Sequence, residues 1–411
     1  MRLLNTRTLQ VKEFLESGST STLVHIEGSN VSSDGFPKYA ILSHTWGDGE
    51  VSFQDMQGDR ELAERKDGFA KLRASCALAL KEGYGYIWID TCCIDKTSSA
   101  ELSEAINSMY RWYKNSAVCY AHLADVEGDD PLKISKQNAN SSRWYRRGWT
   151  LQELIAPKNL RFYNGVWKFI GTKIEHKLGI SNITGIDLYA LDGGDMRMLT
   201  IARRMSWVAN RQTTRSEDMA YCLLGVFDIN MPLLYGEGDK AFVRLQEEIM
   251  KVSDDQSIFA WRDDHSMGLY DRRGLLTSSP THFRTSGDVA QFHSERPGRS
   301  VTVSTNQGLR LDLLMCQDTS YQSGLLYVAV IDCQLGSIPG VLAGIRLRRL
   351  SPDGEQYARV NADQLFKFGI FDEEGEIDLQ GFAPTKKQDK LVDLKLRESP
   401  TLLETFQDSD N

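Results

Sequence analysis

From residue 39 onward, short apolar runs alternate with amphipathic stretches. YAILSHTW (39–46) reads as a buried strand with a polar end, and GFAKLRASCALALKEGY (68–84) as a helix with Phe69, Leu72, Cys76 and Leu80 on one face. YIWID (86–90) is a second strand pattern. SSAELSEAINSMYRWY (98–113) opens with a capping-box spacing, Ser98 to Glu101, and lines up Leu102, Ile106, Met109, Tyr110 and Tyr113 along one helical stripe. AVCYAHL (117–123) supplies a third strand. Strand, helix, strand, helix, strand with short links predicts βαβ units, whose right-handed crossovers build a parallel sheet covered by helices on both faces.

In such sheets ligands bind beyond the carboxyl ends of the strands. Those ends carry Ser43, His44, Thr45 and Trp46 after the first strand, and Asp90, Thr91, Cys92 and Cys93 after the second. The polar stretch SKQNANSS (135–142) predicts an exposed loop. Residues 194–252 keep a helical pattern through RMLTIARRMSWVAN, SEDMAYCLLGVF and DKAFVRLQEEIMKV. From about 270 the texture turns to strands, with SVTVSTNQGLRLDLLMC, GLLYVAVIDCQ and VLAGIRLRRL between turn residues. A boundary near 265 follows, with a β-rich domain over 270–400 and a polar tail over 401–411.

A chain of 411 residues with this pattern has room for two or three domains, and its formal net charge of -8 argues against a duplex nucleic acid as partner. Charges interrupt every apolar run, so neither a signal peptide nor a membrane span is expected. Seven scattered cysteines, an odd number, predict reduced thiols and a cytoplasmic protein rather than a disulfide framework. The seven histidines are dispersed, and neither HExxH nor paired CxxC spacing occurs, so no metal site is expected. YGEGDKAF (235–242) places glycines before a helix but lacks the P-loop pattern, which favours a turn over a phosphate cradle.

The densest chemistry lies in WYRRGWTLQELIA (144–156), closed by Pro157. Thr150 to Glu153 has the spacing of a capping box, which would make Glu153 a helix-start residue. Alternatively, a helix that begins at or before Trp149 puts Trp149 and Glu153 on one face, as one wall of an active site. Arg147 is suited to a diphosphate oxygen. His44 after a strand reads equally as a hydrogen-bonded loop histidine, and Asp90 as a turn cap. Cys92 and Cys93 with His44 permit a thiol-dependent hydrolase, although adjacent cysteines at the end of an apolar strand usually serve packing.

AILSHTWGDGEVSFQDM, YIWIDTCCIDKTSSAELSEAINSMYRWY, RGWTLQELIAP and RSEDMAYCLLGVFDINMPLLYGEGDKAFVRLQEEI resemble the motifs of the fungal heterokaryon-incompatibility (HET) domain over roughly residues 1–262. That resemblance implies nonself recognition and programmed cell death. Many HET proteins add nucleotide-binding and repeat domains; neither pattern is seen in this sequence, so a sensor is expected in a partner protein or in the β-rich region. HET domains are in turn thought to be remote relatives of TIR domains, many of which hydrolyse NAD+. The TIR segment Trp-x-x-x-Glu-[Leu/Ile], with its catalytic glutamate, is matched by Trp149 to Leu154.

These likenesses imply an α/β fold with a TIR-like (flavodoxin-like) parallel sheet over about 37–170, completed by helices over about 194–252, within a HET domain spanning 1–265. They imply Glu153 as catalytic residue and Ser43, His44, Trp46, Asp90, Cys92, Arg147 and Trp149 as substrate-binding residues, with NAD+ as substrate and no cofactor. A homo-oligomer is the expected active form. A death-signalling module that acts only by assembly is the alternative.

Overall fold

The computed structural model describes residues 1–14, 36–130, 132, 142–292, 303–305, 308–318, 324–336, 341–352, 354–369 and 391–394. Most of the 135–142 stretch and the whole 401–411 tail lie outside them. The chain divides into two compact units: 1–198 with 210–241, and 199–209 with 242–411. The change of texture near 265 thus falls within the second unit.

The first unit is built on seven strands: β1 (Arg2–Asn5), β2 (Val11–Glu13), β3 (Ala40–His44), β4 (Tyr86–Trp88), β5 (Val118–Leu123), β6 (Leu160–Asn164) and β7 (Phe169–Thr172). They lie side by side in the order β2-β1-β4-β3-β5-β6-β7. The four central strands are parallel. The chain winds outward in two directions from β3, so the strand order reverses between β3 and β5, where sheets of this kind open a crevice.

Both edges depart from the all-parallel expectation. β1 pairs antiparallel with β2 and β4, and β7 antiparallel with β6. These strands come from tight turns rather than crossovers. In the first turn Asn5 Oδ1 accepts from the Arg7 and Thr8 amides, and in the last Asn164 Oδ1 accepts from those of Val166 and Lys168. Strands of three or four residues leave too short an alternation to read.

The helices that precede β6 are α1 (Phe53–Gln57), α2 (Arg60–Glu64), α3 (Gly68–Lys81), α4 (Asp90–Cys93), α5 (Ser99–Asn115), α6 (Arg143–Arg146) and α7 (Thr150–Ile155). α3 buries Phe69, Leu72, Cys76 and Ala79, whereas Leu80 is left 37% exposed. Ser98 caps α5 as its spacing predicts, accepting from the Glu101 amide. The Glu101 carboxylate, however, turns to the Asp95 amide and to Arg2. α5 seats Trp112 and Tyr113 edge-on against Trp88 of β4, at 5.6 and 5.8 Å between ring centres. Such contacts fix the height of the helix over the sheet.

The helix Lys240–Val252, which belongs to the second unit from Phe242 onward, buries Phe242, Leu245, Gln246 and Ile249. Gln246 bonds to both the carbonyl and the amide of Thr277. The sheet of this unit centres on the antiparallel strands Leu326–Gln334 and Val341–Arg349, and all but one of its described strand pairings are antiparallel. Arg359 is buried there, donating to the carbonyls of Phe259 and Trp261 while its guanidinium lies 3.8 Å from the Trp261 ring centre.

Candidate active site

At the carboxyl end of β3, Ser43 meets α7, the helix inside the tryptophan segment. Its Oγ donates to Glu153 Oε2 at 2.5 Å and accepts from Trp144 Nε1 at 2.7 Å. Glu153 is 7% exposed. Burial disfavours its charge; Ser43 opposes that, the Asp90 charge adds to it, and Arg147 and Tyr113 oppose it, so the carboxyl is pushed up to about 7.

Beside this buried pair lies a more open group. Trp46, 42% exposed, donates its Nε1 to Asp90 Oδ2 at 2.8 Å. Lys96 Nζ lies 3.6 Å and Arg147 Cζ 5.2 Å from a ring centre of the same indole. Burial works against the charge of Asp90, but Lys96, His44, Arg147 and the Trp46 N–H hold its carboxyl below the usual range.

His44 links the two groups. Its Nε2 is 3.8 Å from Glu50 Oε2 and its Nδ1 3.8 Å from Asp90 Oδ1, both too long for a hydrogen bond. Among the described residues neither nitrogen has a hydrogen-bond partner. Burial pulls its pKa down, against the pull of both carboxylates. Burial also works against the charge of Glu50, yet His44, the Lys71 ammonium and the Gly47 amide hold that carboxyl at about 2.

The tryptophan segment is held by a strap from residues 211–213. The Gly148 amide donates to Gln212 O at 2.8 Å and the Gln212 amide to Arg146 O at 2.7 Å, a parallel bridge. A Cβ on Gly148 would come 2.5 Å from Thr213 Cγ2 and 3.2 Å from Cys222 Sγ, so only glycine fits. Arg211 donates to Arg147 O and to Thr150 Oγ1.

The capping-box reading of Thr150 and Glu153 does not hold. Thr150 is already inside the helix, Trp149 occupies the cap position with helical φ and ψ, and no side-chain capping bond forms. The Thr150 hydroxyl donates backward to the carbonyls of Trp144 and Arg147. Glu153 turns to Ser43 instead. The far end of α7 is closed by Lys173, buried, whose ammonium donates to the carbonyls of Leu154, Ile155 and Pro157.

The fold therefore brings Ser43, His44, Trp46, Asp90, Arg147 and Glu153 together at one sheet edge. Trp149 stands differently: it is partly buried and helps to offset the burial that raises the Asp218 carboxyl. Cys92 is fully buried in α4, and its neighbour Cys93 together with burial pushes its thiol well up. No hydrogen bond joins it to His44 among the described residues, and a thiol so raised is a poor source of thiolate. Nor do three His, Cys, Asp or Glu side chains converge to hold a metal ion among the described residues. Trp144, Lys96, Glu50, Lys71, Arg211 and Asp218 belong to the constellation and were not singled out from the sequence. Only the clustering of Trp144 with the arginines was a signal; the others sit in no periodic pattern.

Residues 39–140 match the family Heterokaryon incompatibility protein (HET), and residues 240–353 match a domain of unknown function, DUF8212. The first match takes in Ser43, His44, Trp46, Asp90 and Lys96, whereas Arg147, Trp149 and Glu153 lie beyond its end. Vegetative incompatibility protein HET-E-1 of Podospora anserina is 38% identical over 330 residues, which is 75% of this chain and 24% of that protein. The chain thus spans about a quarter of the length of that relative. No solved structure matches the chain. No helix among the described residues is long and apolar enough to cross a membrane. On the family match and the identity to HET-E-1, the chain belongs to the heterokaryon-incompatibility (HET) domain proteins.

Proposed function

We propose that the first unit cleaves NAD+ between nicotinamide and ribose, with Glu153 as the catalytic residue, and that this turnover is the effector step of fungal nonself recognition and cell death. One observation carries the reading. A buried glutamate, oriented by Ser43, stands beside an aromatic and cationic cluster at the carboxyl edge of a doubly wound sheet. The likeness of WTLQEL to the TIR segment supports the same assignment.

The chemistry asks little of the protein beyond charge. The C1′–N1 bond breaks with its electron pair leaving on neutral nicotinamide, and positive charge develops on the ribose ring. An ionised Glu153 stabilises that charge electrostatically. Water then adds to C1′ and its proton passes to Glu153 or to solvent, giving ADP-ribose. Ser43 orients the carboxylate, Arg147 contacts the diphosphate, and His44, Trp46 and Asp90 shape the pocket around NAD+, which is substrate rather than cofactor. The reading includes a homo-oligomeric active form in the cytoplasm and a sensor partner that triggers it.

A second reading has its own support. Glu153 is nearly closed off from solvent and locked to Ser43 and, through it, to Trp144, as a structural carboxylate would be. The module would then signal by assembly alone. Nicotinamide release from NAD+ by concentrated wild-type protein, lost in Glu153→Gln, supports turnover; no release at any concentration leaves assembly.

A further inference from the structure

We infer that Lys96 and Arg147 form an anion site over Trp46 that takes the diphosphate of a dinucleotide. The inference rests on the NAD+ reading for the identity of the ligand, and adds to it a residue, Lys96, that holds the substrate.

The cations around this edge fall into two kinds. Lys71 is neutralised by Glu50, and Arg2 by Glu101. Lys96 and Arg147 have no carboxylate within 4.0 Å among the described residues; what they share is the indole of Trp46, at 3.6 and 5.2 Å from a ring centre. Asp90 faces both, yet one of its oxygens is engaged by Trp46 Nε1. Two like charges held over one ring repel each other, and the cation–π contacts that hold them are weaker than charge-assisted hydrogen bonds to phosphate oxygens.

The two groups differ in the way a diphosphate requires. The guanidinium presents a planar fork for two oxygens of one phosphate, and the ammonium a compact charge for the next. Position agrees with chemistry: Asp90, which accepts from Trp46 Nε1, also acts on Glu153 through its charge. Arg147 acts on Glu153 through its charge as well, so a diphosphate held there adjoins the groups that set the charge of the carboxylate. A bound anion would draw both cations off the indole, which changes the surroundings of the most exposed edge tryptophan.

Calorimetric titration of the full chain with inorganic pyrophosphate and with ADP-ribose tests this, with tryptophan fluorescence read alongside and Trp46→Phe as the optical control. Both ligands are expected to bind and to change the emission of Trp46. Lys96→Gln should weaken both by at least about tenfold with unchanged melting, and Lys96→Arg should restore most of the affinity. Pyrophosphate affinity in Lys96→Gln equal to wild type, or an equal response to uncharged adenosine, overturns the inference. The two readings separate cleanly. Lys96-dependent pyrophosphate binding without nicotinamide release keeps the anion site and removes the hydrolase; nicotinamide release with Lys96→Gln affinity unchanged does the reverse.

Discussion

Ser43 and Glu153, 110 residues apart in the chain, are joined by a hydrogen bond of 2.5 Å that sets the end of β3 against α7. The donated proton favours the ionised carboxylate, and the same serine oxygen accepts the Trp144 N–H. Ser43→Ala should therefore raise the Glu153 pKa and move the midpoint of the pH–rate profile for nicotinamide release upward by roughly one unit. Stability should fall by about 1–3 kcal/mol as Trp144 loses its acceptor. An unmoved midpoint with normal turnover would show that Ser43 does not set the charge of Glu153.

Glu153 also leaves a mark on stability. Its folded pKa of about 7 stands above the ordinary 4.5, so the folded state holds the proton more tightly. The contribution is fully present below the unfolded value and is lost as pH rises through the folded one. Between these limits wild type should lose about 3 kcal/mol more than Glu153→Gln, which carries no charge to bury. Urea unfolding of both proteins near pH 4.5 and pH 8 reads the difference; parallel curves would mean that Glu153 is ionised in the fold at no cost.

Lys173 gives the opposite slope. Burial holds its ammonium at about 8 against 10.5, so the folded state gives up this proton more readily. Relative to Lys173→Met, wild type should gain roughly 2 kcal/mol between about pH 7 and pH 10. At neutral pH the variant should still be destabilised by about 1–3 kcal/mol, because the carbonyls closing α7 lose their donor. Urea unfolding at both pH values checks the sign; a gap that narrows with pH contradicts it.

Gly148→Ala should destabilise the protein by about 1–3 kcal/mol, since its Cβ meets Thr213 Cγ2 at 2.5 Å. Removing that methyl with Thr213→Ser in the same protein should recover much of the loss. Thermal melting of the single and double variants decides, and additivity without rescue would place the clash elsewhere.

What the sequence made legible follows from range. β3, β5, α3 and α5 are long enough for periodicity to show, whereas β6 was not read, and the polar residues after β3 and β4 meet at one edge of the sheet. Glu153 stood out through its crowded segment, but its partner did not: Ser43 meets it only once β3 and α7 are packed. Thr150 misled because a capping spacing states what a local segment can do, whereas Trp144, Arg147 and Arg211 supplied its hydroxyl with other partners. Lys96 and Arg211 gave no signal, since single cations outside a periodic face look like solvated surface. The edge strands β1, β2 and β7 were hidden by their shortness.

The most direct test of the account compares nicotinamide release from NAD+ by concentrated wild-type protein and by Glu153→Gln, with melting temperatures measured on both. An electrostatic role needs the negative charge itself. Turnover should appear in wild type, rise with pH through about 7 as Glu153 ionises, and fall by roughly two to three orders of magnitude in the variant, or about 3–4 kcal/mol of transition-state stabilisation, at nearly unchanged melting. Full turnover by a well-folded Glu153→Gln, or none by wild type at any concentration, would contradict it.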